Sequence, residues 1–173
     1  YDNVEIMHRR RKNMKIRLVH PDDLQVVTQI EAACFPAAEA APQEELLKRI
    51  QAFPTHFWIL EEKDKPIGFI NGMVTDNRTI CDEMFENAFL HRENGAYQSV
   101  FGLDILPEYR CKGYAAKLMQ TLIDHAKQDG RRGCILTCKE HLLHYYAKFG
   151  YKNLGVSASK HGGATWYDML LEF

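Results

Sequence analysis

A short apolar strand, followed directly by a glycine-containing turn and a long amphipathic helix, constrains this chain more than any other feature. The strand is Val100–Leu106 and the turn runs from Pro107 to Gly113. In the helix, apolar residues recur at i, i+3 and i+4 spacing, at Ala115, Leu118, Met119, Leu122, Ile123 and Ala126. Gly130 then ends the helix. This succession predicts an α/β domain.

The turn at the helix start has the chemistry of an anion-binding site. A helix start presents N–H groups without intrahelical acceptors, and the helix dipole favours negative charge there, so the turn suits a pyrophosphate. Arg110 and Lys112 add positive charge. Gly113 permits close approach of the backbone, and the small Ala115 keeps a second contact open. A glycine at a helix start is common, so the flanking strand and helix give the pattern its weight.

The rest of the chain predicts the element order βααβββαβαββ, a mixed sheet with helices on both sides. Residues 76–95 are polar and irregular, which predicts a long functional loop or a short helix. The other predicted elements are strand Ile16–Val19, a helix over Leu24–Cys34, a helix opened by Pro42, a hairpin of Phe57–Leu60 and Ile67–Val74 around a Lys63–Pro66 turn, strand Cys134–Cys138, a short helix bearing Leu142, Tyr145, Tyr146 and Phe149, and closing strands Tyr151–Val156 and Thr165–Leu171.

Composition narrows the classes of function. The chain has 173 residues, 46% of them hydrophobic and 26% charged, with a formal net charge of −1. We therefore expect one globular domain over residues 14–173, with no nucleic-acid or membrane partner, as a monomer or homodimer. Residues 1–13 contain the basic run His8–Lys12, and we expect a disordered or vector-derived leader; the alternative is a basic arm for an anionic partner.

The chain has five cysteines, an odd number. Cys134 and Cys138 are four residues apart, but no second pair of cysteines has the spacing of a zinc site. The pattern favours free, buried thiols in a reducing cytoplasm, and no metal site.

Two motifs carry a resemblance to a known family. Arg110 to Ala115 match the pattern [R/Q]-x-x-G-x-[G/A], and the segment His144–Tyr151 follows at the appropriate separation. The chain thereby resembles the GCN5-related N-acetyltransferase (GNAT) superfamily over nearly its whole length. Ile30–Phe35 and Leu136–Glu140 are similar to segments of the arylalkylamine (serotonin-type) N-acetyltransferases and their bacterial relatives.

The resemblance implies the GNAT fold, and direct transfer of acetyl from acetyl-CoA, a cosubstrate, to a primary amine. The central strand is expected to splay from its neighbour, so that the free amide of Leu103 binds the acetyl carbonyl. Tyr146 is the implied general acid for the departing thiolate. The implied cofactor-binding residues are Leu103, Asp104, Ile105, Arg110, Cys111, Lys112, Gly113, Tyr114, Ala115, Ala116 and Tyr146.

The chain departs from the animal arylalkylamine enzymes at their proton path. Those enzymes carry two histidines on the central strand, where this chain has Ser99 and Phe101. The general base therefore stays open among Glu31, His91, Asp104 and a water chain past Ser99. Asp104 alternates with Leu103 along the strand, so it is expected to face away from the site.

The acceptor pocket is predicted to be largely apolar, lined by Phe35, Pro36, Phe101 and the 84–91 loop. Such a pocket favours a small aryl- or alkylamine over a polyamine, whose extra charges would lose water without gaining partners. Polyamines and protein N-termini or lysines remain alternative acceptors. Two other hypotheses are an acyl-CoA-binding module without turnover and a ping-pong acyltransferase that uses Cys138 as nucleophile.

Overall fold

The structure is a computed structural model that describes residues 13–173. Apart from Asn13, the predicted leader lies outside the described residues. The helices are α1 (Leu24–Cys34), α2 (Gln43–Ala52), α3 (Asp82–Glu86), α4 (Tyr114–Gln128) and α5 (Leu143–Ala147). The strands are β1 (Met14–Leu18), β2 (Phe57–Glu62), β3 (Lys65–Asn71), β4 (Val74–Thr75), β5 (Tyr97–Val100), β6 (Gly102–Ile105), β7 (Gly133–Cys138), β8 (Lys152–Val156) and β9 (Tyr167–Glu172).

The strands form two sheets rather than the single mixed sheet expected. One is antiparallel with the order β1-β2-β3-β6, and the other has the order β4-β5-β7-β9-β8, in which β5 and β7 are parallel. The predicted central strand is therefore two strands, β5 and β6, which belong to different sheets. The α/β class with mixed pairing is confirmed.

A bulge at Phe101 divides the central strand. The Phe101 N–H donates to the Asn71 carbonyl at 2.7 Å, and Gly102 pairs with the same residue. Two residues opposite one make a bulge, which bends the strand and changes its partner. The predicted strand Ile67–Val74 is also interrupted, because β3 ends at Asn71. At Gly72 a Cβ would lie 1.9 Å from the Ser99 carbonyl oxygen, so only glycine fits this crossing.

Helices cover both faces of the first sheet, as predicted. Alternation along β2 turns Trp58 and Leu60 toward the buried face of α4, and Phe57 and Ile59 toward α1 and α2. The helix α4 buries its predicted stripe, with Leu118, Met119, Leu122, Ile123 and Ala126 at most 3% exposed. Across residues 13–173, no helix combines the length and apolar content needed to cross a bilayer.

The cysteines follow the prediction only in part. All five are free, and Cys134 and Cys138 are buried, whereas Cys81 and Cys111 are exposed. The exposed pair lies in the loop before α3 and in the turn before α4, where no sheet or helix covers the side chain.

Candidate active site

The turn before α4 adopts a backbone that few residues tolerate. Gly113 is the N-cap of α4 with φ +81°, and Cys111 has φ +60°. A Cβ at Gly113 would meet no atom within 4 Å, so the dihedral angle, not crowding within the protein, requires glycine there. The space beside the helix start is open to a ligand.

The side chains of the turn have distinct partners. The exposed Arg110 donates from Nε to the Ile105 carbonyl at 3.0 Å, which ties the turn to the end of β6. The ammonium of Lys112 lies 5.2 Å from the ring centre of Tyr109. The hydroxyl of the buried Tyr114 donates to Glu62. The side chains of Arg110 and Lys112 both remain at the turn, although the Nε of Arg110 is occupied by its hydrogen bond to the Ile105 carbonyl. Ala115 and Ala116 are half-buried in the first helical turn.

A gap opens between β6 and β7 beyond the bulge. Pairing of β5 with β7 ends at Val100 and Leu136, and β6, at the end of its sheet, pairs with β3 alone. The Ile105 carbonyl accepts from Arg110 and from the Cys34 thiol, so it faces away from β3. Backbone groups two residues apart on a strand face the same edge, so the Leu103 amide also faces the gap.

A cavity of about 330 Å³ adjoins this gap. Leu103, Leu136, Cys138 and Tyr146 border it at the gap, and aromatic rings line it further out, at Phe35, Phe85, Phe101 and Trp166. Phe35 and Phe101 were predicted lining residues. Pro36 is not among the residues that line it, whereas Pro42 is, because the chain turns away after α1.

The cavity walls also carry charges that the sequence did not point to. Four carboxylates and one guanidinium line the cavity and give it a formal charge of −3. The carboxylates belong to Glu31, Glu39, Glu45 and Glu86, and the guanidinium belongs to Arg49. Lys139 pairs with Glu39 at 2.7 Å and Lys48 with Glu45 at 2.9 Å, which offsets part of this charge. The walls therefore combine aromatic rings with acidic groups, whereas the sequence predicted a largely apolar pocket.

A buried charge cluster extends from one wall of the cavity into the core. The Arg49 guanidinium lies 4.9 Å from the Phe101 ring centre, and burial lowers its pKa. Glu31 accepts from the Ala41 N–H at 2.9 Å through one oxygen, while its second oxygen and both oxygens of Asp104 are buried without a donor. Burial, and then the charge of Glu31, raise the pKa of Asp104 well above its usual range. A proton held by Asp104 therefore supplies the missing donor between the two carboxyl groups.

The proposed bases occupy different places. Of the side chains named as candidates, Glu31 borders the cavity, whereas Asp104 does not, in keeping with its alternation with Leu103. His91 accepts from the Val74 N–H at 3.0 Å, away from the cavity. The hydroxyl of the buried Ser99 donates to the Met73 carbonyl at 2.8 Å.

Tyr146 and Cys138 meet at the gap end of the cavity. Tyr146, on α5, packs against the rings of Tyr145 and Tyr151, with ring centres 5.2 and 6.2 Å away. Burial raises its pKa above the ordinary phenol value, so the hydroxyl keeps its proton. Burial also raises the pKa of the Cys138 thiol to about 11, which leaves very little thiolate at neutral pH.

Two curated proteins show similarity at low identity. Serotonin N-acetyltransferase of Mesocricetus auratus is 26% identical over 109 residues, which are 62% of this chain and 51% of the relative. A probable hydrolase of Bacillus subtilis (strain 168), YhcX, is 21% identical over 144 residues, 79% of this chain and 28% of the relative. The chain thus spans between about a quarter and a half of these relatives.

Solved structures share the fold. The GphF GNAT-like decarboxylase in complex with isobutyryl-CoA superposes with a TM-score of 0.79 at 18% identity, covering 91% of this chain and 98% of that one. The PaiA N-acetyltransferase of Thermoplasma acidophilum in complex with coenzyme A has a TM-score of 0.69 at 18% identity, covering 92% and 99%.

The family model of the acetyltransferase (GNAT) family matches residues 24–151, from the start of α1 to the residue before β8. The match includes the turn before α4, the gap between β6 and β7, and Tyr146. The chain belongs to the acetyltransferase (GNAT) family.

Proposed function

We propose that this protein transfers acetyl from acetyl-CoA directly to the nitrogen of a small primary amine. The observation that carries the proposal is the gap between β6 and β7. It lies between a helix start suited to a pyrophosphate and a cavity bordered by Tyr146. Membership of the acetyltransferase family and the CoA complexes of similar folds support the choice of cosubstrate.

The turn and β6 hold the cosubstrate in this scheme. The pyrophosphate binds the amides at the start of α4, where Gly113 leaves room and the helix dipole favours negative charge. The pantetheine arm then runs along the free edge of β6. The Leu103 amide donates to the acetyl carbonyl oxygen as negative charge develops on it, because a fixed dipole needs no reorganisation.

The amine enters from the acidic cavity. An ammonium must lose a proton before it can attack, and Glu31 borders the cavity, so we assign Glu31 as the acceptor of that proton. The amine nitrogen then bonds to the acetyl carbon and the carbon–sulfur bond breaks. Tyr146 donates its proton to the departing CoA thiolate. The acetylated nitrogen then loses its second proton, which restores the Tyr146 hydroxyl, and Glu31 releases the first proton to solvent. The products are the N-acetyl amine and CoA thiol.

The cavity favours a compact amine with an aromatic or alkyl body. Its volume of about 330 Å³ is at the small end for ligand sites, and Phe35, Phe85 and Phe101 offer flat apolar contacts. The four glutamates favour a positively charged acceptor, which keeps polyamines as a second candidate class. Free thiols at all five cysteines fit the reducing cytoplasm in which we propose the protein acts.

A panel of amines with acetyl-CoA, followed by release of CoA thiol, tests the proposal. We expect phenethylamine or tryptamine to give a higher kcat/KM than spermidine, and double-reciprocal plots for the two substrates to intersect. The rate should rise with pH as free amine increases, with no fall at the ordinary tyrosine pKa of about 10, because burial raises the pKa of Tyr146.

The same panel separates the alternatives. No thiol release with any amine, despite acetyl-CoA binding, would favour the module without turnover. Parallel plots together with an inactive Cys138→Ala variant would establish the ping-pong scheme. A preference for spermidine would move the acceptor to the polyamine class.

A further inference from the structure

A second cluster of titratable side chains lies outside the acetyl-transfer cavity. His56 closes the short turn Pro54–His56 before β2, and it contacts His91 and His125 with ring centres 5.3 and 5.6 Å away. Glu93 and Asp129 complete the cluster, and none of these five residues lines the acceptor cavity.

The hydrogen bonds of Gln98 determine the tautomer of His56. The Gln98 amide nitrogen donates to the carbonyls of Gly72 and Ser99 at 2.8 and 2.9 Å, so its oxygen faces His56. That oxygen lies 2.8 Å from His56 Nδ1, and the network therefore assigns the hydrogen to Nδ1. In the neutral ring, Nε2 then carries a lone pair.

This lone pair faces a carboxylate. His56 Nε2 lies 3.2 Å from both oxygens of Glu93, so two acceptors meet with no hydrogen between them. His56 is fully buried, so bulk water does not surround the nitrogen. A proton on Nε2, or a metal ion between the two groups, would join them.

The other two histidines, His91 and His125, differ in whether a ring nitrogen is free to bind a cation. His91 Nδ1 accepts from the Val74 N–H at 3.0 Å, which leaves the hydrogen on Nε2, where it donates to Glu93 at 3.0 Å. His91 therefore orients Glu93 and is not available as a ligand. His125 Nδ1 is buried 3.2 Å from an oxygen of Asp129, without the geometry of a hydrogen bond. One ligand atom from each of His56, His125 and Asp129 lies within 4.8 Å of the others.

The charge of the cluster also favours a cation. With neutral histidines, the carboxylates of Glu93 and Asp129 exceed the single guanidinium of Arg131 by one negative charge. Arg131 is held by the carbonyls of Glu93 and Gly95, both at 2.9 Å, and reaches Asp129 at 3.0 Å and Glu93 at 3.4 Å. It thereby orients both carboxylates from outside, as groups around metal sites commonly do.

We propose that His56, His125, Asp129 and Glu93 bind one divalent transition-metal ion of the zinc class. Two imidazole nitrogens and two carboxylate oxygens suit tetrahedral zinc. His56, His125 and Asp129 already offer ligand atoms within 4.8 Å of one another, and Glu93, which faces His56, completes the set by turning toward them. The ion would join the turn before β2, the end of α4 and the loop before β5. Because the cluster lies outside the cavity, its role is to stabilise this side of the fold.

Zinc titration of the untagged protein, stripped with EDTA and studied by calorimetry at pH 7.5, tests the site. We expect one equivalent to bind the wild type and to raise its melting temperature. His125→Gln and Asp129→Asn should each weaken binding at least about tenfold. His125 is half-buried and Asp129 is exposed, so both positions tolerate substitution better than the fully buried His56. His144→Gln, at an exposed histidine on α5, is the matched control and should bind like the wild type.

Cobalt in place of zinc should give the intense visible bands of a tetrahedral site in the wild type, and weaker bands in Asp129→Asn. A wild type that binds no zinc, or His125→Gln and Asp129→Asn variants that bind as tightly as the wild type, overturns the proposal.

Discussion

The turn before α4 and the acceptor cavity adjoin the same gap, but they are built in different ways. The turn is one continuous segment, and its function depends on backbone groups and on one glycine with φ +81°. The cavity takes its walls from α1, α2, α3, the central strands and the segment around His161. A single substitution can therefore disable the turn, whereas the cavity shares its contacts among many side chains.

The largest expected effect concerns the turn. In Gly113→Asp, a side chain and a negative charge enter the space proposed for the pyrophosphate, and the positive φ becomes strained. We expect the Kd for acetyl-CoA, measured by calorimetry, to rise on the order of 100-fold, about 2.7 kcal/mol. Gly130→Asp is the matched control, because Gly130 has φ +71° and equally open surroundings at the other end of α4. Equal losses in the two variants would contradict the assignment of the turn.

The next effect concerns Tyr146, which lies where the gap meets the acceptor cavity. Tyr146→Phe keeps the ring and removes the proton, so kcat should fall on the order of 10²-fold while the Kd for acetyl-CoA stays nearly constant. Tyr145→Phe, at the neighbouring half-buried tyrosine, should change kcat little. Steady-state kinetics with one chosen amine measure kcat for both variants. A full rate in Tyr146→Phe would remove this residue from the mechanism.

A smaller effect tests the acidic wall. Glu86→Gln removes one of the four cavity carboxylates and should raise KM for a cationic amine several-fold, with kcat nearly constant, since the charge attracts the acceptor rather than reacting. Added salt should reduce the difference. Glu83→Gln, on the exposed face of the same helix, serves as the control. An unchanged KM would mean that the cavity charge does not select the acceptor.

The smallest effect concerns the contribution of the buried Asp104 to the stability of the fold. Because the folded-state pKa of Asp104 is raised, the folded protein holds a proton that the unfolded chain has lost. Its contribution to stability falls as pH rises from about 4 toward the folded pKa. Asp104→Asn has no such penalty and should melt about 2–4 °C higher than the wild type at pH 8, roughly 1 kcal/mol. Thermal unfolding between pH 5 and pH 8 measures this. A wild-type melting temperature that does not decline relative to Asp104→Asn would contradict the protonated pair.

The amino-acid sequence by itself determined the helix α4, the turn before it and the hairpin between β2 and β3. The apolar stripe from Leu118 to Ala126, the glycines that begin and end α4, and the Arg110–Ala115 motif are all short-range patterns, and the structure has the corresponding helix and turn. The hairpin turn was readable for the same reason, although it is shorter than predicted: Lys63 and Asp64 alone, with φ of 50° and 60°, form it, and β3 begins at Lys65. The family model matches residues 24–151, which include these segments.

Tertiary structure alone decided what the cavity walls and the histidine cluster contain. Glu31 and Asp104 are 73 residues apart, and His56 and His125 are 69 residues apart, so no local period relates them. The bulge at Phe101 set which residues face the gap, because one extra residue in a strand redirects all that follow. Burial then shifted the pKa values of Asp104 and Tyr146, and burial is a property of the packed fold rather than of any segment.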